Sequence, residues 1–281
     1  MMIIREYNEM DLVKIKGYLD LVFRSTYDSY IKEDKDGSIV DSFICENPNG
    51  FVYVSKNDTR YSIKLAFEIN PSQDDVQRIH KRIEKYFYDE QVQKIYITTN
   101  SSSVNIVNYY DLNHVKLWYT AYDLEYSSET YDYLEDDLNV KPYDEEYLLE
   151  FVNLLDDSFR PLRLENNIVP IDCYGSNLEE SKNEFLELNE EGKIKGIWDK
   201  DILIGVTITE GNEIDTIAID KTHQNKGYGR RVVNYLMNRL INEEKHKTVH
   251  LGVIASNKIA FDLYIKCGFK QVGSITYLKK V

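Results

Sequence analysis

Apolar and polar positions follow two rhythms along this chain, and the order of the rhythms repeats. Ile3-Ile4-Arg5-Glu6-Tyr7 predicts a short strand. Asn8 is placed to cap a helix that has Asp11 in its first turn and Leu12, Ile15, Leu19 and Val22 at helical spacing. A Pro-Asn-Gly turn breaks the chain between Glu46 and Gly50. Phe51 to Ser55 and Tyr61 to Ile69 predict two strands joined around Asn57-Asp58. Pro71-Ser72 then opens a helix with Val76, Ile79, Ile83, Tyr86 and Phe87 on one face. Lys94 to Thr99 predicts a strand, Asn105 to Leu112 a short helix, and Val115 to Leu124 a strand that closes this half. Glu125 to Asn139, with the acidic run Glu135-Asp136-Asp137, reads as a solvated link.

After the link the pattern restarts. At an offset of 136 residues, Tyr7, Glu9, Leu12, Leu19, Asp20, Phe23 and Arg24 meet identical residues: Tyr143, Glu145, Leu148, Leu155, Asp156, Phe159 and Arg160. Nearer the ends the offset is 154, where Ile95, Ile97, Val107, Tyr110 and Val115 meet Val249, Leu251, Phe261, Tyr264 and Phe269. A unit this long is no solenoid period, so the pattern predicts two copies of one α/β domain. The second copy continues with strands at Gly196 to Asp199, Ile202 to Thr209 and Glu213 to Ile219. A long helix follows, then a strand at Thr248 to Val253, a helix capped by Ser256, and a strand from Phe269 to Leu278 that closes its sheet.

Composition narrows the function classes. The 281 residues carry a net charge of -14, which argues against a nucleic-acid footprint and suits a cationic partner. No apolar run is long enough to span a bilayer, and Met1 to Asp11 has charges where a secretory signal needs an apolar core, so the expectation is a cytoplasmic chain with no membrane role. Cys45, Cys173 and Cys267 show neither metal spacing nor a disulfide framework, and His246 and His250 straddle a predicted strand start; no metal is expected.

One stretch stands apart in this acidic chain. Ile217-Ala218-Ile219 ends a strand, a polar loop follows, and Gln224-Asn225-Lys226-Gly227-Tyr228-Gly229-Arg230 opens the helix of Val232, Val233, Leu236, Met237 and Leu240. A helix N-terminus offers unpaired N–H groups and partial positive charge, glycines admit a phosphate, and Lys226 and Arg230 add full charge. The matching stretch of the first copy, Ile69 to Asp75, has no glycine and carries Asp74-Asp75, so no phosphate is expected there. A P-loop signature is absent, and Val232 stands where a dinucleotide fingerprint needs its third glycine.

Gln224, Gly227, Gly229 and Arg230, followed in order by Asn257, Ala260, Tyr264, Gly268 and Phe269, give a paired motif that resembles the GNAT acetyltransferase superfamily. With its degenerate first half the chain resembles tandem GNAT proteins. The resemblance implies two twisted, mostly antiparallel sheets flanked by helices. They would be a degenerate copy at 1–127, an acidic linker at 128–138 and a catalytic copy at 139–281. It implies acetyl-CoA as co-substrate: its pyrophosphate on Gln224, Asn225, Lys226, Gly227, Tyr228, Gly229 and Arg230, its pantetheine arm along the edge of Ile217, Ala218 and Ile219, with Asn257 hydrogen-bonding that arm. The strand at Ile217 would splay from the one at Leu251 to Val253.

Tyr264 would give a proton to the leaving thiolate, and Glu213, with Asp215 on the same face, would act as base through water. The implied activity is acetyl transfer to a primary amine by direct attack on the thioester, in a monomer or homodimer. Acylation of a protein or peptide N-terminus or lysine is the second enzyme reading. A non-catalytic acyl-CoA-binding or interaction module is the reading of another class. Acceptor choice would lie between Arg160 and Lys195 and on surfaces of the first half.

Overall fold

The computed structural model describes residues 2–22, 26–57, 60–90, 94–113, 115–133 and 136–280. Phe23 and Arg24 of the repeat, Asp58 of the hairpin turn and Glu135 of the acidic run lie outside them. The chain forms two compact units. One holds the residues up to Asp123 together with those from Gly273 onward; the other runs from Leu124 to Val272.

In the first unit the order is β1 (Ile3–Arg5), α1 (Leu12–Asp20), α2 (Thr26–Lys35), β2 (Ile39–Glu46), β3 (Gly50–Asn57), β4 (Arg60–Phe67), α3 (Gln73–Ile83), β5 (Lys94–Asn100) and α4 (Val104–Asn113), then β6 (Lys116–Ser127). Asn8 makes the expected cap: its side chain accepts from the Met10 amide while Asp11 accepts from the Asn8 amide at 3.1 Å. Strands β1 to β4 pair antiparallel in sequence, and β4 pairs parallel with β5. Val52, Ile63, Leu65, Ile79, Ile97 and Tyr110 share one core, and Ile15, Leu19, Tyr30, Phe51 and Tyr53 share another. Helix α2 and strand β2 had no counterpart in the sequence reading. In α2 only Thr26 and Tyr30 are buried, so its polar length conceals its period.

The second unit repeats this order as β7 (Asn139–Pro142), α5 (Leu148–Glu165), α6 (Leu178–Glu190), β8 (Ile194–Asp199), β9 (Ile202–Glu210), β10 (Glu213–Ile219), α7 (Tyr228–Met237), β11 (Thr248–Ile254) and α8 (Lys258–Lys266), followed by β12 (Lys270–Lys279). The pairing repeats too: β7 to β10 antiparallel in sequence, then β10 parallel to β11. The expected class, mixed α/β with a mostly antiparallel sheet and flanking helices, is the observed one. The extra length of the second copy lies mainly before β8. Helix α5 has 18 residues against 9 in α1, and its connection to α6 covers 166–177 against 21–25 in the first copy. The loop before α7 is longer as well, covering 220–227 against 68–72. No helix among the described residues is long and apolar enough to cross a membrane.

One expectation about strand partners is corrected. The strand from Phe269 to Leu278 does not close the second copy's sheet. Ile275 to Lys279 pair antiparallel with Asn100 to Tyr96 of β5, and Leu278 is fully buried in the first unit's core. The end of β6, from Leu124, belongs to the second unit, where β6 lies next to β11. The closing strands of the two copies are therefore exchanged. Alternation of apolar residues marks a strand but does not choose its partner, which is why the sequence pattern left each strand with its own half.

Leu278 lies near the C-terminus yet supports the first unit. Leu278→Ala should cost about 2–5 kcal/mol, the usual range for emptying a buried leucine site. Chemical denaturation followed by the fluorescence of Trp118, in the same unit, reads that loss.

Candidate functional site

The two parallel strand pairs, β4–β5 and β10–β11, occupy equivalent places in the repeat and differ sharply. Six residue pairs join β4 to β5, from Arg60↔Lys94 to Leu65↔Thr99. A single pair, Glu213↔His250, joins β10 to β11. Beyond it, among the described residues, β10 is paired only with β9, through Ile217↔Thr207, Ala218↔Val206 and Ile219↔Gly205. The two strands thus form a fork that opens from Glu213 toward Ile219. At its closed end the His250 amide donates to the Asn212 carbonyl at 3.0 Å, and the Asn212 side-chain amide donates to the Thr248 carbonyl at 3.0 Å. A β-bulge in β10 between Ile214 and Thr216 adds Asp215 as an extra residue beside the fork.

The loop after β10 is built by Asp220. Its carbonyl accepts from the amides of His223 at 2.8 Å and Gln224 at 3.1 Å, and its carboxylate accepts from the Thr222 amide at 2.9 Å. The Gln224 side chain donates back to the Ile219 carbonyl at 2.9 Å, which fixes the loop to the strand end. Asn225 and Gly227 have φ of 59° and 89°, and Gly227 stands at the N-cap of α7 with no side chain over the helix end.

A side chain added at Gly227 would meet nothing within 4 Å, whereas one at Gly229 would meet Leu263 of α8 at 3.1 Å. The two glycines therefore do different things. Gly227 supplies a left-handed turn in front of an open helix end, and Gly229 lets α7 approach α8. Tyr228 is partly buried, edge-on to His223 at 5.9 Å and under the Arg231 guanidinium at 5.2 Å.

The cations at this helix end divide in the same way. Arg231 forms a two-pronged pair with Asp136 at 2.8 Å and also reaches Asp137, so part of the acidic run is a docked counter-charge. Lys226 and Arg230 are exposed, and among the described residues neither is in an ion pair.

Helix α8 starts from Asn257, whose side chain accepts from the Ala260 amide at 3.2 Å. The expected cap, Ser256, instead accepts from the Asn166 side chain at 3.0 Å. Tyr264 is partly buried and edge-on to Phe269 at 6.1 Å, and burial pushes its phenol up to about 12. Its counterpart Tyr110 is completely buried among His80, Phe87 and Tyr109, a core position.

On the side of β10 that faces α6, the structure brings together residues the sequence reading passed over. Thr216 donates to the Asp215 carboxylate at 2.8 Å, and the Tyr174 hydroxyl lies against Thr216. Asp156, nearly buried, accepts from the amides of Tyr174 at 2.9 Å and Gly175 at 2.7 Å. Glu184 of α6 is held above its ordinary value by desolvation and then by the charge of Asp215. The alignment of Asp156 with Asp20 was a signal of ancestry only, because Asp20 pairs with Lys16 on its own helix. Among the described residues no group of three His, Cys, Asp or Glu side chains is placed to hold a metal ion.

Comparison with known proteins agrees with this geometry. Residues 148–269 match the model of the acetyltransferase (GNAT) family. Among solved structures, a GCN5-related N-acetyltransferase from Sphaerobacter thermophilus is similar at a TM-score of 0.64 and 11% identity, covering 99% of this chain and 95% of that one. An acetyltransferase from the GNAT family from Colwellia psychrerythraea is similar at 0.57 and 14% identity, covering 100% of both. At these identities the likeness speaks for the fold, and it extends over both copies. No curated protein matches. The matched segment contains the fork, the loop and both helices that frame them, and this chain carries a GNAT-family acetyltransferase domain in its second half.

Proposed function

We propose that the protein is an acetyl-CoA-dependent N-acetyltransferase that moves an acetyl group to a primary amine. The observation that carries this is the contrast between the repeats: one parallel pair is closed along six residues, and the other opens after one. An open fork leaves backbone amide and carbonyl groups of β10 without a strand on that side, and an amide-bearing pantetheine arm supplies what a strand would. The loop at the mouth of the fork fits a pyrophosphate. Its helix end is uncapped, its Gly227 faces open space, and Lys226 and Arg230 are not neutralised.

The first unit has the opposite features. Ser72 caps α3 by accepting from the Asp75 amide at 3.2 Å, and Asp74 and Asp75 occupy its first turn. This unit serves as a scaffold.

In this reading a backbone N–H of Ile217 to Ile219 polarises the thioester carbonyl. Tyr264 donates the proton that the leaving thiolate needs. Asn257 already uses its side-chain oxygen as a cap, so its contact with the arm would come from the side-chain amide. The acidic residues beside the fork, Glu213 among them, favour a cationic acceptor.

Isothermal calorimetry should show acetyl-CoA binding to the intact protein, and thiol release with a panel of primary amines should show transfer; absence of binding would sink the proposal. Lys226→Ala combined with Arg230→Ala should weaken acetyl-CoA binding about tenfold or more, given roughly 1.5–3 kcal/mol for a charge-assisted contact. Gly227→Ala should weaken it too, because a Cβ at a left-handed position costs about 1–2 kcal/mol. Tyr264→Phe should lower kcat about ten- to a hundredfold with little change in acetyl-CoA affinity. Because the folded phenol is raised to about 12, its proton is present throughout the neutral range. Loss of that role with rising pH should come only as the pH nears that value.

A further inference from the structure

The fork's closed end has two carboxylates of its own strand, and the bulge distinguishes them. Glu213 belongs to the paired end of β10, opposite Glu210 on β9 and His250 on β11. Asp215 is the residue the bulge inserts. It is exposed, and it stands where β10 has already left β11. The bulge also changes the alternation: Ile214 is opposite Thr209 and Thr216 is opposite Ile208, its neighbour along β9. Thr216 therefore shares the face of Ala218, Ile208 and Val206, the face that packs with α5 and α6. Asp215 is tied to that face by the Thr216 hydroxyl.

A second set of contacts reaches the same point from outside the sheet. The connection from α5 to α6 is longer than its counterpart in the first copy, and it is pinned by Asp156 through two backbone amides. Gly175 makes room for this: a side chain there would lie 2.8 Å from an Asp156 carboxylate oxygen. Ser181 donates to the Tyr174 carbonyl at 2.7 Å, and the Tyr174 ring packs on Phe185 at 5.6 Å. Tyr174 is thus held at both its backbone groups and its ring, with its hydroxyl against Thr216. The Thr216 hydroxyl bonds the Asp215 carboxylate beside the fork, with the Tyr174 hydroxyl next to it.

We propose that Asp215, oriented by Thr216 and Tyr174, accepts the proton of the acceptor amine, with Tyr174 as a positioning residue. This rests on the acetyl-transfer reading above. The acceptor ammonium gives one proton to the Asp215 carboxylate. The freed nitrogen lone pair forms the N–C bond to the thioester carbonyl, and the C–S bond breaks. The thiolate takes the Tyr264 proton, the second amine proton leaves to water, and solvent restores both side chains. The groups whose charge reaches Asp215 are Glu184 from α6 and Tyr174 from the connection, with Glu213 two residues before it on its own strand. The negative charge around it draws a cationic amine to the point where it must lose a proton.

The test compares Asp215→Asn, Tyr174→Phe and Glu213→Gln in the full chain. Acetyl-CoA affinity is followed by calorimetry and kcat/KM for ethylamine, putrescine and a lysine peptide by thiol release across pH. Asp215→Asn should leave acetyl-CoA affinity unchanged, lower kcat/KM about a hundredfold or more and abolish the acid limb of the profile. Asp215→Glu should restore that limb. Tyr174→Phe should lower kcat/KM about tenfold and move the limb, which a purely structural role would not do. Full activity and an intact acid limb in Asp215→Asn, or loss of the limb in Glu213→Gln alone, would overturn the proposal. A wild-type protein that fails to bind acetyl-CoA, or binds it and acetylates none of the probes, would instead bring down the acetyl-transfer reading, and this proposal with it.

Discussion

Backbone hydrogen bonding inside a sheet is close to obligatory, so two neighbouring strands that separate after one residue pair leave backbone groups that need a partner other than a strand. β10 and β11 do this, whereas β4 and β5, built on the same plan, remain paired for six residues. Most other features of the second unit follow from keeping that fork open and aimed. Gln224 anchors the loop to the last strand carbonyl, Gly227 turns the chain into an α7 N-terminus that no side chain caps, and Gly229 lets α8 pack close to that helix. Tyr264 is carried on that packed helix, partly buried, where its proton is retained.

Charge reinforces the arrangement. The chain is strongly acidic, and its cations near α7 are not equivalent. Arg231 is neutralised by Asp136 and Asp137 and serves to attach the segment after β6 to the helix. Lys226 and Arg230 project from the same turn as exposed positive charge. Near the fork's closed end, Asp215 of β10 and Glu184 of α6 make a negative environment. One end of the site suits an anion and the other a cation, the two charges that a phosphate-bearing acyl donor and a protonated amine bring.

Much of this was legible in the sequence. The β10–loop–α7 junction could be read because glycines at a helix start after an apolar strand are unusual enough to carry meaning, and the paired motif through Phe269 named the family. The repeat was visible in identities such as Tyr7 and Tyr143. Other features had no one-dimensional signature. A bulge at Asp215 leaves the apolar pattern almost unchanged while reversing which residues share a face. Asp156 acquires its role only through a connection eighteen residues downstream, where it holds the amide of Tyr174. The partner of β12 is a choice between two equally apolar sheet edges, and pattern alone cannot make it. Helices α2 and α6 were passed over because their exposed faces are long and charged, and few apolar positions mark their period.

The exchanged closing strands also bear on how the chain comes to be folded. During synthesis from the N-terminus, β5 emerges long before Ile275 to Lys279, its antiparallel partner. Until Ile275 to Lys279 leave the ribosome, one edge of the first unit's sheet has no native strand against it, and an unpaired edge is the surface through which chains associate wrongly. The first unit, although begun first, is completed only after the residues of the second have been made. The second unit is complete in sequence at Val272, whereas the first takes in residues from Gly273 onward.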